Sequence, residues 1–451
     1  MSDMLLHKRL DFNLTQAKIV LSRIEELTQD GLALSRAATL SASATSAKIL
    51  NIIYKLRLTK AADAHDKRIE GTPKFLNIID NYVKMDMPIR MCMPAFPFKS
   101  ANKVYKVLGS LPDRAEEAAL EYMSTMCAEI GNIYSPGAKL LIVSDGLVYN
   151  DLLTILDKDV WAYGQALRTM AAKRFPHIEF SRLRQLVTID LPEKLDEVTY
   201  VANATNFRRA LLSQFGKDDL DVHKLIEENE DTRLTYCGHS RFLFNGLRYI
   251  FPKSELRGSN QYKRDVKFIA REMIRRGFAS AAAIKRNFPS HLRLSIHQST
   301  GEHKISLSLL PTSTTFTTPW MYAVAYIAGG ILLSAPKGGI ESDPKYQLVH
   351  RDGCPNFFVE RSGSATVLAE VGMNELNKAN GAMTQGDQVS GKKTCPHCGM
   401  TTHSEARCFN KFPHLAPKRL QEWLASSTCT NVIMATLNTE GVRTETMMTS
   451  V

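Results

Sequence analysis

Residues 94–123 read PAFPFKSANKVYKVLGSLPDRAEEAALEYM, and the predicted fold is organised around this stretch. Its first part has no helical period, and Pro97 disfavours a helical conformation for Phe96. We therefore predict an apolar strand or loop that carries Lys99 out of the core.

A helix is predicted in the second part of the same stretch. Ser110 can cap its free N–H groups, and Asp113 and Glu116 suit the positive end of a helix. Apolar residues then recur at helical spacing and form one buried face: Ala119, Leu120, Met123, Cys127 and Ile130. Lys99, Asp113 and Arg114 are thus expected near a helix N-terminus, which favours anions. A plain capped helix on a loop explains the same pattern.

Composition sets limits on the class of protein. The chain has 451 residues, of which 44% are hydrophobic and 23% charged, as in soluble globular proteins. Its formal net charge of +11 suits acidic partners such as phosphorylated metabolites or nucleic acid, but selects none of them. The N-terminus shows no secretory signal, and the longest apolar run, residues 322–335, is too short to span a bilayer. We expect a cytoplasmic protein without a membrane segment.

The order of the next elements favours an α/β fold. Residues 139–143 form a short apolar run between Pro136-Gly137 and Ser144-Asp145-Gly146, which predicts a buried, parallel strand. A helix within residues 151–174 and candidate strands at 178–183 and 186–189 follow. We predict an open, Rossmann-like mixed sheet flanked by helices, with its site at the carboxyl ends of the strands. Ser144 and Asp145 lie at one such end.

Residues 206–288 are predicted to be mostly helical. The segment 262–278 is amphipathic, with Val266 and Met273 facing inward and lysines and arginines facing outward, and Gly277 is a plausible C-cap. The cations either form a solvated face, or Arg271 or Arg275 reaches a phosphate.

Polar and apolar residues alternate in two stretches, residues 292–297 and 304–309. The segment between them contains Gly301, and this pattern predicts a β-hairpin. The alternation places Arg293, Ser295 and His297 on one face of the first strand, and Lys304 on the polar face of the second. Such a face either lines a cleft or is the solvated face of an antiparallel sheet.

Three stretches together resemble the pyoverdine/dityrosine biosynthesis family, the isocyanide synthases. They are Phe-Pro-Phe-Lys-Ser with the later Leu-Pro-Asp-Arg-Ala-Glu-Glu-Ala-Ala-Leu, then Leu-Ile-Val-Ser-Asp-Gly at 141–146, and Arg-Leu-Ser-Ile-His-Gln-Ser at 293–299 with Lys304. The resemblance covers residues 73–363. The family typically places a His after Pro-Trp, whereas here Met321 follows Trp320. Residues 346–362 look like the family's closing hairpin, with its turn at Asp352-Gly353.

The resemblance implies an enzyme that fuses the amine of an L-amino acid with the ketone carbon of ribulose 5-phosphate. An imine forms, the sugar is cleaved, and an isocyanide or formyl-amino-acid-type product remains. Some relatives are tied to dityrosine formation in spore walls. No metal or redox cofactor is implied for this reaction.

The matching stretches contain the side chains that this chemistry needs. His297 is the expected acid–base group, with Lys99, Lys304 and Asp145 as further catalytic candidates. Arg293 is expected to clamp an anion. The other expected substrate contacts are Ser295, Arg114, Asp113, Ser144 and Trp320.

A separate motif lies near the C-terminus. Cys395, Cys398, His403 and Cys408 have the spacing Cys-x2-Cys-x4-His-x4-Cys, which supplies the four ligands of a tetrahedral Zn²⁺ site. The alternative is a chance cluster of reduced thiols. The motif resembles the zinc knuckle of Gag proteins, which bind single-stranded nucleic acid and usually carry an aromatic residue; here Phe409 lies just outside.

The expected domains are a helical leader and linker (1–72), a catalytic domain (73–363), a flexible linker (364–391), the knuckle (392–412) and a largely disordered tail (413–451). Three functions compete. The first is an active isocyanide synthase. The second is a family member that has lost activity, as Met321 and the appended knuckle suggest. The third is a protein that binds nucleic acid through its knuckle.

Overall fold

The computed structural model describes residues 44–361, except 59–65, 145, 193, 251–257, 313–316 and 328–329. Asp145 therefore lies outside the described residues. So do most of the expected leader, the linker and tail, and the four expected zinc ligands Cys395, Cys398, His403 and Cys408.

A five-stranded sheet forms the centre of the described chain. In spatial order its strands are β3 (Ile178–Ser181), β2 (Ala138–Val143), β1 (Ile89–Pro94), β4 (Leu292–Ser295) and β5 (Ile305–Ser306). All its pairings are parallel. The strand order reverses at β1, which has β2 on one side and β4 on the other. Open α/β sheets bind ligands at such a switch point, outside the carboxyl ends of the strands.

Helices cover the sheet. They are α1 (Ala44–Tyr54), α2 (Arg68–Lys84), α3 (Arg114–Ile133), α4 (Asp157–Arg174), α5 (Glu197–Ala202), α6 (Ala204–Phe215), α7 (Val222–Glu228), α8 (Glu230–Ile250), α9 (Ser259–Asn287) and α10 (Lys337–Glu341). Short 3-10 turns occupy Gly146–Val148, Asn150–Leu153, Leu183–Gln185 and Pro319–Met321. In the described part of the chain, no helix is both long and apolar enough to cross a membrane.

The two faces of the sheet bury different cores. Met91 and Met93 of β1 lie in a core that includes residues of α1, α2 and α3. Cys92, between them, lies in a second core with residues of α6, α8 and α9. Successive side chains of a strand point to opposite faces, so the sheet is covered on both sides, as parallel sheets require. The predicted α/β fold with a central sheet flanked by helices is confirmed.

Helix α1 belongs to the first of these cores. Ile49, Leu50 and Ile53 are fully buried in it. Each buried aliphatic side chain contributes about 1.5–3 kcal/mol to folding. The compact part of the chain therefore includes residues that the sequence assigns to the leader.

A second, four-stranded sheet has the order β7 (Ile331–Ala335), β6 (Ala323–Ile327), β9 (Cys354–Glu360), β8 (Tyr346–Arg351). Strands β6 and β9 are parallel, and the other two pairings are antiparallel. Asp352 and Gly353 both have positive φ, 52° and 74°, at the turn between β8 and β9. This turn confirms the predicted closing hairpin.

The hairpin predicted for residues 292–309 is wrong. Strands β4 and β5 are parallel, with Leu294 opposite Ile305 and Ser295 opposite Ser306. The residues between them form a crossover loop, in which Gly301 has a φ of 84°. The central sheet is therefore parallel throughout, where the sequence predicted a mixed sheet. Alternation identifies strands but does not specify the direction of their pairing.

Three smaller predictions also differ from the structure. Asp113, and not Ser110, caps α3: its carboxylate accepts a hydrogen bond from Ala115 N, and the Glu116 carboxylate accepts one from Asp113 N. Residues 186–189 form no strand. Gly277 lies inside α9, which continues because the following turns still bury apolar side chains.

Candidate active site

The loop after β1 is held in a strained conformation at the carboxyl end of the sheet. Phe96 is fully buried and has a φ of 55°, a value that is unfavourable for a side chain with a Cβ. Ser144 Oγ donates a hydrogen bond to Phe96 O at 2.7 Å. The Phe96 ring packs on Trp320, with centroids 5.0 Å apart. Ser144 and Trp320, expected as substrate contacts, support this loop in the structure.

Lys99 lies in a buried ion-pair network. Its Nζ is 2.8 Å from both Asp113 Oδ2 and Glu116 Oε2, and its side chain is only 1% exposed. Tyr163 OH donates to the other oxygen of Glu116 at 3.0 Å. Lys99 also donates to Pro319 O at 3.2 Å, which ties the β1 loop to the turn before β6.

Opposed effects set the protonation of this network. Burial disfavours the charge on Lys99, but Asp113 and Glu116 outweigh it and raise the pKa of the amine. Burial raises the pKa of Asp113 to about 7, against the pull of Lys99. Lys99 is therefore a protonated partner of two carboxylates, and its Nζ is already occupied.

Arg114 takes part in a different network. Its Nε donates to Tyr326 OH at 2.8 Å, and its other nitrogens contact Glu117 and Glu121 at 3.2 and 3.1 Å. Glu117, which is buried, also binds Arg174 and Arg351. Arg114, an expected substrate contact, thus links α3 to the second sheet.

The structure brings together two expected site residues at the end of β4, Ser295 and His297. Ser295 Oγ accepts a hydrogen bond from His297 N at 3.1 Å, and Ser306 Oγ of β5 donates to His297 O at 2.5 Å. Both serines are buried. The two serines therefore fix the backbone at His297. Ser295, expected as a substrate contact, binds this backbone in the structure.

Arg293 of β4 lies opposite Cys92 of β1, at the switch point of the sheet. Its guanidinium hydrogen-bonds to the Cys92 thiol. The Nη1 atom of Arg293 is buried and has no hydrogen-bond partner among the described residues. A buried donor without a partner is costly, so this nitrogen can bind a ligand oxygen.

Helix α8 adds a residue that the sequence reading did not identify, His239. It is only 4% exposed, and its ring lies edge-on to that of His297, with centroids 5.0 Å apart and planes at 82°. Its Nδ1 has no hydrogen-bond partner within the described part of the chain. His239 shares a helix face with Leu243 and Leu247, both buried, and this spacing of four was the available signal.

Burial and nearby cations keep both imidazoles uncharged. Burial, assisted by Lys304, lowers the pKa of His239 to about 4. Burial, His239 and Lys304 together lower the pKa of His297 well below its usual value. Burial also lowers the pKa of Lys304, and Asp231 of α8 offsets this only in part. The imidazoles are neutral at pH 7 and can accept a proton.

A cavity of about 230 Å³ opens beside the β1 loop. Its walls include Phe98, Ile155 and Thr154, and it contains both a cation, Lys103, and a carboxylate, Asp159. A space of this volume holds a small molecule rather than a polymer.

Residues 79–349 match the family model of pyoverdine/dityrosine biosynthesis proteins. The chain belongs to the pyoverdine/dityrosine biosynthesis family. The resemblance inferred from the sequence motifs is therefore confirmed.

Individual members of the family are similar over most of the same region. Over 326 residues the chain is 50% identical to the isocyanide synthase-NRPS hybrid crmA of Aspergillus fumigatus. The matched region covers 71% of this chain and 21% of that protein. The chain is 30% identical over 335 residues to an L-tyrosine isonitrile synthase of Xenorhabdus nematophila, covering 72% of this chain and 96% of that protein. The chain spans only 21–49% of the length of the fungal isocyanide synthases that it matches.

The crystal structure of the PvcA protein from Pseudomonas aeruginosa has the same fold. It superposes with a TM-score of 0.61 at 27% identity, covering 70% of this chain and 100% of that one. The α/β fold of this chain is thus similar to that of PvcA.

Proposed function

We propose that this chain is an isocyanide synthase that condenses the amine of an L-amino acid with the ketone carbon of ribulose 5-phosphate. The product is an isocyanide or a formyl-amino-acid-type compound. The observation that carries the proposal is the cluster of Arg293 on β4, Lys304 just before β5, His239 on α8 and His297 just after β4. The names of related isocyanide and isonitrile synthases support it.

The cations of this cluster suit the phosphate of a sugar phosphate. The Nη1 atom of Arg293 has no hydrogen-bond partner among the residues that the structure describes, and Asp231 only partly offsets the effect of burial on the pKa of Lys304. A phosphate oxygen would accept a hydrogen bond from Arg293 Nη1, and the negative charge of the phosphate would stabilise the buried charge of Lys304. We therefore assign the phosphate to Arg293 and Lys304.

The two imidazoles suit proton transfer during imine formation. Neutral His297 can take a proton from the attacking amine, and the Lys304 ammonium then disfavours the imidazolium. The proton is thus returned readily when the carbinolamine loses water. His239 packs against the ring of His297 and supports its position.

The amino acid is assigned to the cavity beside the β1 loop. Asp159 and Lys103 offer charges opposite to those of an α-ammonium and an α-carboxylate. Tyrosine is the first amino acid to test, because a relative is named for it. Lys99 also lines this cavity, but its Nζ is held by Asp113 and Glu116, so in this proposal it holds the loop. Asp145 remains a candidate contact for the amine or a sugar hydroxyl.

Met321 occupies the position where the family typically has a His. Its side chain packs against the first core. His239 and His297 still provide two imidazoles, and we therefore favour an active enzyme over a member that has lost activity. In the inactive alternative the fold persists without turnover.

A second candidate function rests on the Cys-x2-Cys-x4-His-x4-Cys spacing alone. We propose that Cys395, Cys398, His403 and Cys408 bind one Zn²⁺ and form a knuckle that can contact single-stranded nucleic acid. This binding would be independent of the synthase reaction.

One assay tests the function directly. Purified protein is incubated with ribulose 5-phosphate and a pool of L-amino acids, and products are identified by mass spectrometry. An isocyanide or formyl product that requires both substrates supports the proposal. A folded protein without product favours the inactive alternative. Salt-sensitive binding of single strands that is lost in Cys398→Ser supports the knuckle's role.

A further inference from the structure

The loop between β1 and α3 carries three lysines in different surroundings. Lys99 is buried and pairs with Asp113 and Glu116. Lys103 is exposed to solvent. Lys106 is buried, 6% exposed, yet pairs with no carboxylate of the described residues. Buried lysines are rare unless they are paired, so Lys106 needs an explanation of its own.

The amine of Lys106 has a single weak contact among the described side chains and backbone. Its Nζ donates to Phe242 O of α8 at 3.5 Å. Burial lowers the pKa of this amine to about 8, and no charged group among the described residues opposes it. Roughly a tenth of the amine is then neutral at pH 7, far more than for an exposed lysine. A neutral, desolvated amine is the nucleophilic form.

The backbone holds Lys106 firmly in place. Its N–H donates to Asn102 O at 3.0 Å, and its carbonyl accepts from Lys337 N of α10 at 3.1 Å. Asn102 is itself buried and accepts from Tyr105 N through its side chain at 2.9 Å. The side chain is therefore presented from a fixed turn towards α8.

The part of α8 that contacts Lys106 also contacts the imidazole pair. Phe242, whose carbonyl contacts Lys106, packs edge-on against His239 with centroids 5.9 Å apart. His239 in turn packs on His297. Lys106 thus lies about one helical turn of α8 beyond the imidazoles.

We propose that Nζ of Lys106 forms a Schiff base with the ketone carbon of the sugar phosphate before the amino acid reacts. This inference rests on the proposed function. The amine adds to the carbonyl, and the carbinolamine loses one water to give the Lys106 imine. The amine of the amino acid then adds to the same carbon and expels the Lys106 amine. One C=N bond replaces another, and the net change is the loss of one water.

This order of events has a chemical advantage. A protonated imine is more electrophilic than a ketone, so the second amine attacks faster. The imidazoles one turn away can carry the protons of both exchanges. Lys99 cannot take this role, because its two carboxylates keep it protonated.

Reductive trapping tests the proposal. The full chain is mixed with ribulose 5-phosphate and borohydride, without amino acid, and its intact mass and peptides are measured. We expect a gain of one sugar phosphate less one oxygen, located on Lys106. Lys224→Met, which changes an exposed lysine outside the proposed site, should keep the adduct, and Lys106→Met should lose it. An adduct absent from the wild type, or unchanged in Lys106→Met, would overturn the proposal.

A second variant separates this role from anion binding. Lys106→Arg keeps the positive charge but cannot form the imine, so we expect product formation to fall at least 100-fold. Near-normal turnover in Lys106→Arg would overturn the proposal and make Lys106 an anion contact. Thermal melts verify that the variants are folded. Because wild-type product is measured in parallel, failure of Lys106 is distinguished from failure of the synthase function itself.

Discussion

His239 and His297 lie edge to face, with ring centroids 5.0 Å apart, although one belongs to α8 and the other follows β4. Burial lowers the pKa of both rings, and the positive charge of Lys304 adds to this effect. Two neutral imidazoles therefore share a region in which a positive charge is disfavoured. This relationship makes the pair sensitive to pH.

Acid should destabilise the fold through His239. Its pKa is about 4 in the folded chain and about 6.5 in the unfolded chain, so the unfolded state binds more protons between these values. The stabilisation is complete above pH 6.5 and is lost as the pH falls towards 4, by up to roughly 3 kcal/mol. Urea unfolding at pH 7 and pH 5 measures this loss.

His239→Phe should reduce the difference between the two pH values, because the ring is kept but no longer titrates. His303→Phe is the matched control, since His303 is exposed and should contribute little. An equally large difference in wild type and His239→Phe would show that other groups cause the acid sensitivity.

Replacement of His297 should remove activity and spare the fold. In His297→Gln the proton acceptor is lost while Ser295 and Ser306 still bind the backbone at this position. We expect product formation to fall by about 10²–10⁴-fold. Turnover is measured by mass spectrometry and folding by circular dichroism, with His303→Gln as the control. Normal turnover in His297→Gln would exclude it as the base.

Replacement of Lys99 should mainly lower the free energy of unfolding, rather than act directly on the catalysed reaction. Lys99→Met leaves Asp113 and Glu116 buried without their cation, and breaking a buried pair in this way costs about 3–5 kcal/mol. Lys103→Met, on the exposed part of the same loop, should change stability by about 0.5 kcal/mol or less. Urea unfolding compares the two. A stable Lys99→Met protein without activity would instead support a direct catalytic role.

The C-terminal motif should bind one Zn²⁺ through Cys395, Cys398, His403 and Cys408. Thiolate ligands compete with protons, so affinity should fall as the pH is lowered. Metal content after dialysis, compared with Cys398→Ser, measures this binding. A chain that ends at Ser364 should keep full synthase activity if the motif is a fused fragment. A folded but inactive shortened chain would contradict that view.

The sequence by itself determined those local elements that depend only on residues close together in the chain. The apolar run of β2 between Pro136-Gly137 and Ser144 specifies a buried parallel strand, because both faces of such a strand are covered. Asp352-Gly353 specifies the β8–β9 turn, because a turn with two positive φ values favours these residues. The motifs around Lys99 and His297 specified the family.

Only the tertiary structure decided which distant groups meet. The alternation of β4 and β5 did not reveal that they run parallel, since both pairings satisfy the same pattern. Lys99 and Lys106 are lysines of one loop, but two carboxylates at the start of α3 hold the first protonated. Burial against α8 lowers the pKa of the second, and no carboxylate of the described residues compensates for it. A charge state depends on neighbours in space and on desolvation, neither of which is set by position along the chain.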